Sequence, residues 1–185
     1  MIILCRHGET EWTLSNQHTS VTDIPLTQKG KEQARFLGLR LKSIPFQTVL
    51  CSPLLRAKQT CEEAHLSEKM TLEPDAAEWN YGSYESLTGE EIEKKHPGWN
   101  VFLHGAPGGE SPQEAAHRAD RLIAKILLQK APVILFSHGH FLRLLAVRWI
   151  GLEAAAGRLF ALSVASISIL GFEHKNRVIQ LWNSQ

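Results

Sequence analysis

Two apolar runs of the chain end in a histidine. Met1 to Cys5 leads into Arg6-His7-Gly8-Glu9, and Pro132 to Phe136 leads into Ser137-His138-Gly139-His140. A third run, Thr48 to Cys51, is followed by Ser52-Pro53 and then Arg56. If the three runs are parallel strands of one sheet, two guanidiniums and two imidazoles meet beyond its carboxyl edge, where open α/β sheets bind ligands. Four potentially cationic groups repel one another in an empty cavity and are costly to bury unpaired. A dianionic phosphoryl group answers both costs. The planar guanidinium fork makes parallel hydrogen bonds to its oxygens, and positive charge stabilises the equatorial oxygens during transfer.

Transfer also needs a nucleophile and a proton donor. A histidine serves as the first when one ring nitrogen is unprotonated and the other is held by a carbonyl or carboxylate. His7 is the candidate, since it follows its strand directly. Departure of an alkoxide requires a proton, and Glu78 is the candidate acid, later accepting a proton from attacking water. Glu9, Asp75 and Glu85 are the other carboxylates considered for that role. Backbone N–H groups of a helix opening at Pro53 are expected to add donors for phosphate. The His138-x-His140 pair with His7 invites a metal reading, but two arginines beside them oppose a cation. No metal and no cofactor is therefore expected.

The elements that must position these groups are legible from apolar spacing. The runs at 1–5, 48–51 and 132–136 are short and unalternated, as buried strands are. Thr27 caps a predicted helix with Ala34, Leu37 and Leu41 on one face, and Ser52-Pro53 reads as a cap followed by proline at the first helical position. Thr71 to Pro74 is a possible short strand. Thr88 with Glu91, and Ser111 with Glu114, are capping-box signals; the second opens a helix with the stripe Ala115, Ala119, Leu122, Ile126. A helix is predicted over 141–150, and strands over 163–170 and 177–182, paired about a turn near Lys175-Asn176. Strand and helix thus alternate, which predicts an α/β fold: three layers, with a mainly parallel central sheet and helices on both faces. The 185 residues are expected to form one domain, with a short lid-like insertion at about 79–110. The apolar residues Trp149, Leu152 and 159–162 either finish the core or form a dimer surface, leaving monomer and homodimer both open.

Lysine plus arginine number 20 and aspartate plus glutamate 19, a net charge of +1. With basic and acidic residues interspersed, no nucleic-acid or membrane partner is expected. Cysteines in apolar runs, without metal-type spacing, and an N-terminal apolar run too short for a signal peptide fit a reducing, cytoplasmic setting.

The block Arg6-His7-Gly8-Glu9-Thr10-Glu11-Trp12, with Thr22-Asp23-Ile24-Pro25-Leu26-Thr27 and Gly30, resembles the signature of the histidine phosphatase superfamily, the phosphoglycerate-mutase-like fold. Three further blocks come in family order: Ser52-Pro53-Leu54 with Arg56-Ala57 and Gln59-Thr60; Glu78 with Tyr81-Gly82 and Tyr84-Glu85; and Ser137-His138-Gly139-His140-Phe141-Leu142-Arg143. The resemblance implies that His7 is the phosphorylated nucleophile, that Arg6, Arg56 and His138 bind the phosphoryl group, that Glu78 is the acid and base, and that the backbone of Gly139 touches phosphate. Where the family commonly has asparagine after the tryptophan, this chain has Thr13, whose hydroxyl reaches less far. Thr13 and Thr19 are the further candidate substrate contacts, in a 13–21 segment expected to set specificity together with 78–111. The segment between Glu78 and Ser111 is short for a cofactor-dependent mutase, and a smaller lid favours hydrolysis. The expectation is a metal-independent phosphatase acting on a small sugar or metabolite phosphate. A phosphoglycerate mutase and a non-catalytic phospho-ligand binder are the alternatives.

Overall fold

The computed structural model describes residues 1–129 and 131–185. One six-stranded sheet organises them, built from β1 (Ile2–Arg6), β2 (Thr48–Cys51), β3 (Met70–Leu72), β4 (Val133–Ser137), β5 (Ile167–Glu173) and β6 (Asn176–Ser184), in the order β3-β2-β4-β1-β5-β6. The first four strands are parallel; β5 pairs antiparallel with β1, and β6 antiparallel with β5. The helices are α1 (Glu11–Leu14), α2 (Gln28–Leu41), α3 (Leu55–Glu63), α4 (Gly89–Lys95), α5 (Val101–His104), α6 (Pro112–Leu127) and α7 (Gly139–Trp149). The three-layer α/β architecture expected from the sequence is present, with a mixed sheet whose parallel part carries the candidate residues.

Burial on both sheet faces explains why the strands read as continuous apolar runs. In β1, Ile3 and Cys5 join Leu37, Leu41, Val49, Cys61 and Phe136 under α2 and α3. Ile2 and Leu4 join Leu122, Leu135, Leu145 and Trp149 under α6 and α7. Capping chemistry sets the helix starts. The Thr27 hydroxyl accepts from Gly30 N–H at 2.9 Å, and Ser111 and Glu114 satisfy each other's backbone N–H at 3.2 and 2.9 Å.

Several boundaries differ from the sequence reading because distant residues supply the caps. Ser52-Pro53 does not open the second helix. α3 begins at Leu55, whose N–H donates to Asp23 Oδ1 at 2.8 Å. α7 starts at Gly139, two residues before the predicted Phe141, because a side chain from the middle of the sequence takes the N–H groups of its second and third residues. α5 has no counterpart in the apolar pattern; four residues are too few to display a period, and Asn100 caps it by accepting from Phe102 N–H at 3.0 Å. β5 begins at Ile167, four residues later than expected, after Ala165 at φ 51°. The hairpin turn is His174-Lys175. Trp149 is 1% exposed and meets Phe172 edge to face, so it completes the core, as Leu162 does, whereas Leu159 is 74% exposed. Among the described residues no helix is long and apolar enough to cross a membrane.

Gly38 brings α2 against α3. A Cβ there would stand 2.6 Å from the carbonyl oxygen of Ala64 and 2.8 Å from its Cα, backbone atoms that cannot rotate away. Gly38→Ala gains about 1 kcal/mol in helix propensity, whereas overpacking costs about 1–3 kcal/mol. The expected net effect is destabilisation of up to about 2 kcal/mol, read as a lower urea midpoint with unchanged slope. A midpoint at or above wild type would contradict the tight α2–α3 contact.

Candidate active site

β4 lies between β1 and β2, and register sets what gathers at the carboxyl edge. Arg6 is opposite Ser137, and Cys51 is opposite Phe136. His7, Ser52 and His138 each follow directly from one of these neighbouring strands. His7 N–H still bonds Ser137 O at 3.0 Å, and Ser52 N–H bonds Phe136 O at 2.9 Å. The rings of His7 and His138 lie 5.2 Å apart. Above them opens a cavity of about 220 Å³ lined by Arg6, His7, Trp12, Thr13, Asn16, Gln17, His18, Thr19, Glu78, Tyr81, Gly139, His140, Arg143 and Leu162.

His7 is buried, and its Nδ1 lies 2.8 Å from the carbonyl oxygen of Gly8. A carbonyl only accepts, so Nδ1 carries the proton and Nε2 of the neutral ring keeps its lone pair. Burial, then Arg56 and Arg6, hold His7 well below the ordinary histidine range despite the Gly8 bond. His138 is depressed by burial, then by Arg56, His7 and Arg6. Its Nε2 meets the Ser52 hydroxyl at 2.7 Å, and its Nδ1 has no partner among the described residues. Ser52 thus orients a histidine instead of capping a helix.

The two predicted guanidiniums differ in setting. Arg6 donates through one terminal nitrogen to Leu162 O and packs against Gly139; a Cβ at Gly139 would fall 3.2 Å from Arg6 Cζ. Arg56, 1% exposed and, like His138, not among the residues lining the cavity, donates to the carbonyls of Thr19, Ser20 and Thr22 at 3.0–3.2 Å. Nε of both arginines has no partner among the described residues. The expected phosphate donors at the Pro53 helix start are already taken, since Leu54 N–H goes to Ser52 Oγ and Leu55 N–H to Asp23.

Glu78 is the carboxylate that lines the cavity. Its Oε1 accepts from Trp79 N–H at 2.9 Å and Phe141 N–H at 2.8 Å; its Oε2 accepts from His140 N–H alone, at 3.1 Å. It therefore caps α7 and keeps a free position on Oε2. The other carboxylates considered are engaged elsewhere: Glu9 with Thr27 and Lys29, Asp75 with Arg121 and Lys125, Glu85 with the N–H groups of Ser20 and Thr22. Thr13 and Thr19 line the cavity, but the Thr13 hydroxyl donates to Thr10 O at 2.8 Å and that of Thr19 to Gln17 O at 3.2 Å.

Sequence reasoning gives His140 no part in the site, yet it lines the cavity and its ring bonds the Tyr81 hydroxyl. Asn16 and His18 line it from the 13–21 segment expected to set specificity, whereas Arg143 is a further lining residue that the sequence pattern misses. The i, i+3 spacing of His140 and Arg143 was the available signal for a shared helix face. Arg118 donates to the carbonyls of Asp75, Ala77 and Glu78 and pairs with Glu110, fixing the Glu78 loop from behind. His104 accepts from Asn100 N–H outside this cavity. Tyr81 lines the cavity, whereas Trp79 and Phe102 pack in the core.

Burial holds four rings below the ordinary range: His7, His138, His140 and, against the opposing pull of Leu87 O and Glu78, His18. Below about pH 6.5 the unfolded chain binds protons at these positions that the folded chain refuses. Stability is therefore expected to fall as pH drops from about 6.5 toward 5, by up to about 1.4 kcal/mol per histidine per pH unit. Urea unfolding at pH 7.5, 6 and 5 checks this; a flat profile would mean the rings protonate freely in the fold.

Comparison with known proteins agrees with this geometry. The family model described as histidine phosphatase superfamily (branch 1) matches residues 2–185. An acid phosphatase of Mycobacterium tuberculosis is 41% identical over 177 residues, covering 94% of this chain and 87% of its own. A sedoheptulose 1,7-bisphosphatase of Saccharomyces cerevisiae is 34% identical, covering 81% of this chain and 67% of its own. A Salmonella choleraesuis protein named provisionally as a phosphoglycerate mutase is 30% identical over 98% of this chain and 89% of its own. Among solved structures, that of a Mycobacterium tuberculosis open reading frame superposes with a TM-score of 0.96 at 39% identity, covering 100% of this chain and 97% of that one. The chain belongs to the histidine phosphatase superfamily, in its phosphatase branch, and is a hydrolase of the histidine-phosphatase type.

Proposed function

We propose that the chain hydrolyses small phosphate monoesters of sugars or related metabolites through a phosphohistidine on His7. The observation that carries this reading is the Nδ1–H bond from His7 to Gly8 O, which leaves Nε2 as a lone-pair nitrogen at the cavity wall. Nε2 attacks phosphorus, the ester P–O bond breaks, and its electron pair leaves on the ester oxygen, which takes a proton from Glu78 Oε2. Water then attacks phosphorus and gives its proton to Glu78 while the P–Nε2 bond electrons return to the ring. Arg6, Arg56 and His138 carry the charge of the phosphoryl oxygens, and the Gly139 N–H, the first of α7, adds a donor at a helix N-terminus. Fixed guanidinium charge supplies what a metal would otherwise supply. Thr13 and Thr19 contact substrate once their hydroxyls turn from Thr10 and Gln17, and 79–110 forms the wall of the single domain that covers the site.

A mutase is the second reading, favoured by the Salmonella relative's name. It differs in the fate of the phosphoenzyme, whose phosphate returns to a reoriented substrate in place of water. The acid phosphatase and the sugar bisphosphatase, both more similar to this chain, favour hydrolysis.

Phosphate release from a panel of monoesters, with isomer formation measured in parallel, tests the reading. His7→Ala is expected to lose at least about 1,000-fold in kcat and to yield no acid-labile phosphoenzyme. Glu78→Gln is expected to lose about 100- to 10,000-fold on alkyl phosphates but far less on an aryl phosphate, whose leaving group needs no proton. Equal losses on both esters would remove Glu78 from proton transfer. Isomerisation exceeding release would establish the mutase.

A further inference from the structure

Ser52 and His138 follow neighbouring strands, and the Ser52 hydroxyl lies 2.7 Å from Nε2 of the ring. Either atom can donate there, and an account of the hydrogens decides which one does. Pro53 has no N–H, and Leu55 N–H goes to Asp23 Oδ1, so the backbone donor on Ser52 Oγ is Leu54 N–H, at 3.3 Å. Both residues are 0% exposed, and Nε2 is the one partner for the hydroxyl hydrogen among the described residues. A ring hydrogen on Nε2 would leave the hydroxyl hydrogen buried without an acceptor, a loss comparable to a whole hydrogen bond. With the hydroxyl donating, Oγ accepts from Leu54, Nε2 accepts from Oγ, and the hydrogen of the neutral ring stands on Nδ1.

Nδ1 is buried without a partner among the described residues, as are Arg6 Nε and Arg56 Nε. The two arginine nitrogens only donate. A hydrogen on Nδ1 makes the third nitrogen a donor too, so that one group rich in acceptor oxygens suits all three. A bare Nδ1 would instead present a lone pair to those oxygens. Burial, then Arg56, His7 and Arg6, keep the ring from taking a second proton. The choice of nitrogen is therefore the choice between donor and acceptor.

We propose that Ser52 is a positioning residue for phosphoryl transfer: its hydroxyl donates to His138 Nε2 and fixes the tautomer whose Nδ1–H bonds an oxygen of the transferring group. This rests on the hydrolytic reading of the site. His138 neither gains nor loses a proton in turnover, and the bond it donates strengthens as charge gathers on the phosphoryl oxygens. Its ring lies 5.2 Å from that of His7, and the two carry the hydrogen on the same nitrogen to opposite ends. His7 turns Nδ1–H to the protein, at Gly8 O, and keeps Nε2 bare for attack; His138 turns Nε2 to the protein and keeps Nδ1–H for the ligand.

Nitrogen NMR of histidine-labelled protein, with the His138 signals assigned by loss in His138→Gln, reads the tautomer without any turnover. Near neutral pH the wild type is expected to show a proton-bearing Nδ1 and a bare Nε2. Ser52→Ala is expected to move the hydrogen to Nε2 in part or in whole, and to lower kcat about tenfold to a hundredfold with KM little changed. Ser52→Thr keeps the hydroxyl and is expected to restore both the signals and the rate. A wild-type ring with its hydrogen on Nε2, a wild-type imidazolium, or a Ser52→Ala protein with the wild-type tautomer or undiminished kcat overturns the proposal. A Ser52-dependent Nδ1–H in a protein that releases phosphate from no ester would sustain the hold on the ring and sink the phosphatase reading. Turnover by a wild type with Nε2–H would do the reverse.

Discussion

Arg6 Nε, Arg56 Nε and His138 Nδ1 are buried without a hydrogen-bond partner among the described residues, within one cluster at the carboxyl edge of the sheet's parallel part. Buried polar nitrogens are nearly always satisfied, and leaving one bare costs about 1–3 kcal/mol, more when charged. The chain compensates with carbonyls instead of carboxylates. Arg56 is held by three peptide oxygens of the 19–22 loop, and Glu85 turns those peptides by accepting the N–H groups of Ser20 and Thr22. Arg6 rests on Leu162 O. A carboxylate at either guanidinium would have neutralised it; carbonyl dipoles hold the side chain and leave its charge for a ligand.

Holding such charge in place requires a rigid frame, and two long-range contacts supply it. The Glu78 carboxylate satisfies the second and third N–H groups of α7, those of His140 and Phe141, tying the middle of the chain to the loop that carries His138 and Gly139. Arg118 then pins the peptides on the N-terminal side of Glu78, so the carboxylate is located from both ends. The helix dipole and the acid are thus one device. Moving Glu78 would also expose the N-terminus of α7.

What was legible in the sequence was what local pattern encodes. β1, β2 and β4 announced themselves as unalternated runs, and the residues at their ends, His7 and His138, could be brought together by assuming parallel strands. Caps within four residues of their helix, such as Thr27 and Ser111, were equally readable. The remainder depended on contacts across the fold. Asp23 caps α3 from 32 residues away, which displaced Ser52 to His138. Glu78 reaches α7 across 63 residues. Thr13 is spent on closing a one-turn helix, a use its spacing from Thr10 fits as well as substrate contact. His140 and Arg143 were hidden because a helix face has no inside until its neighbours are known.

The 79–110 wall bears on whether water reaches the phosphoenzyme. A lid able to exclude solvent must swing as a unit, and here it is not free to. Trp79, Tyr81, Tyr84, Ile92, Val101 and Phe102 belong to the same core as α6 and α7. Withdrawing six large apolar side chains at about 1.5–3 kcal/mol each would cost on the order of 10 kcal/mol, comparable to the stability of a whole domain. On the reading proposed above, the wall then stays in place, and substrate and product pass by the existing mouth. A mouth that admits a polar phosphate ester also admits water. A retained phosphoryl group would face solvent on the side opposite Nε2, the direction from which in-line attack must come.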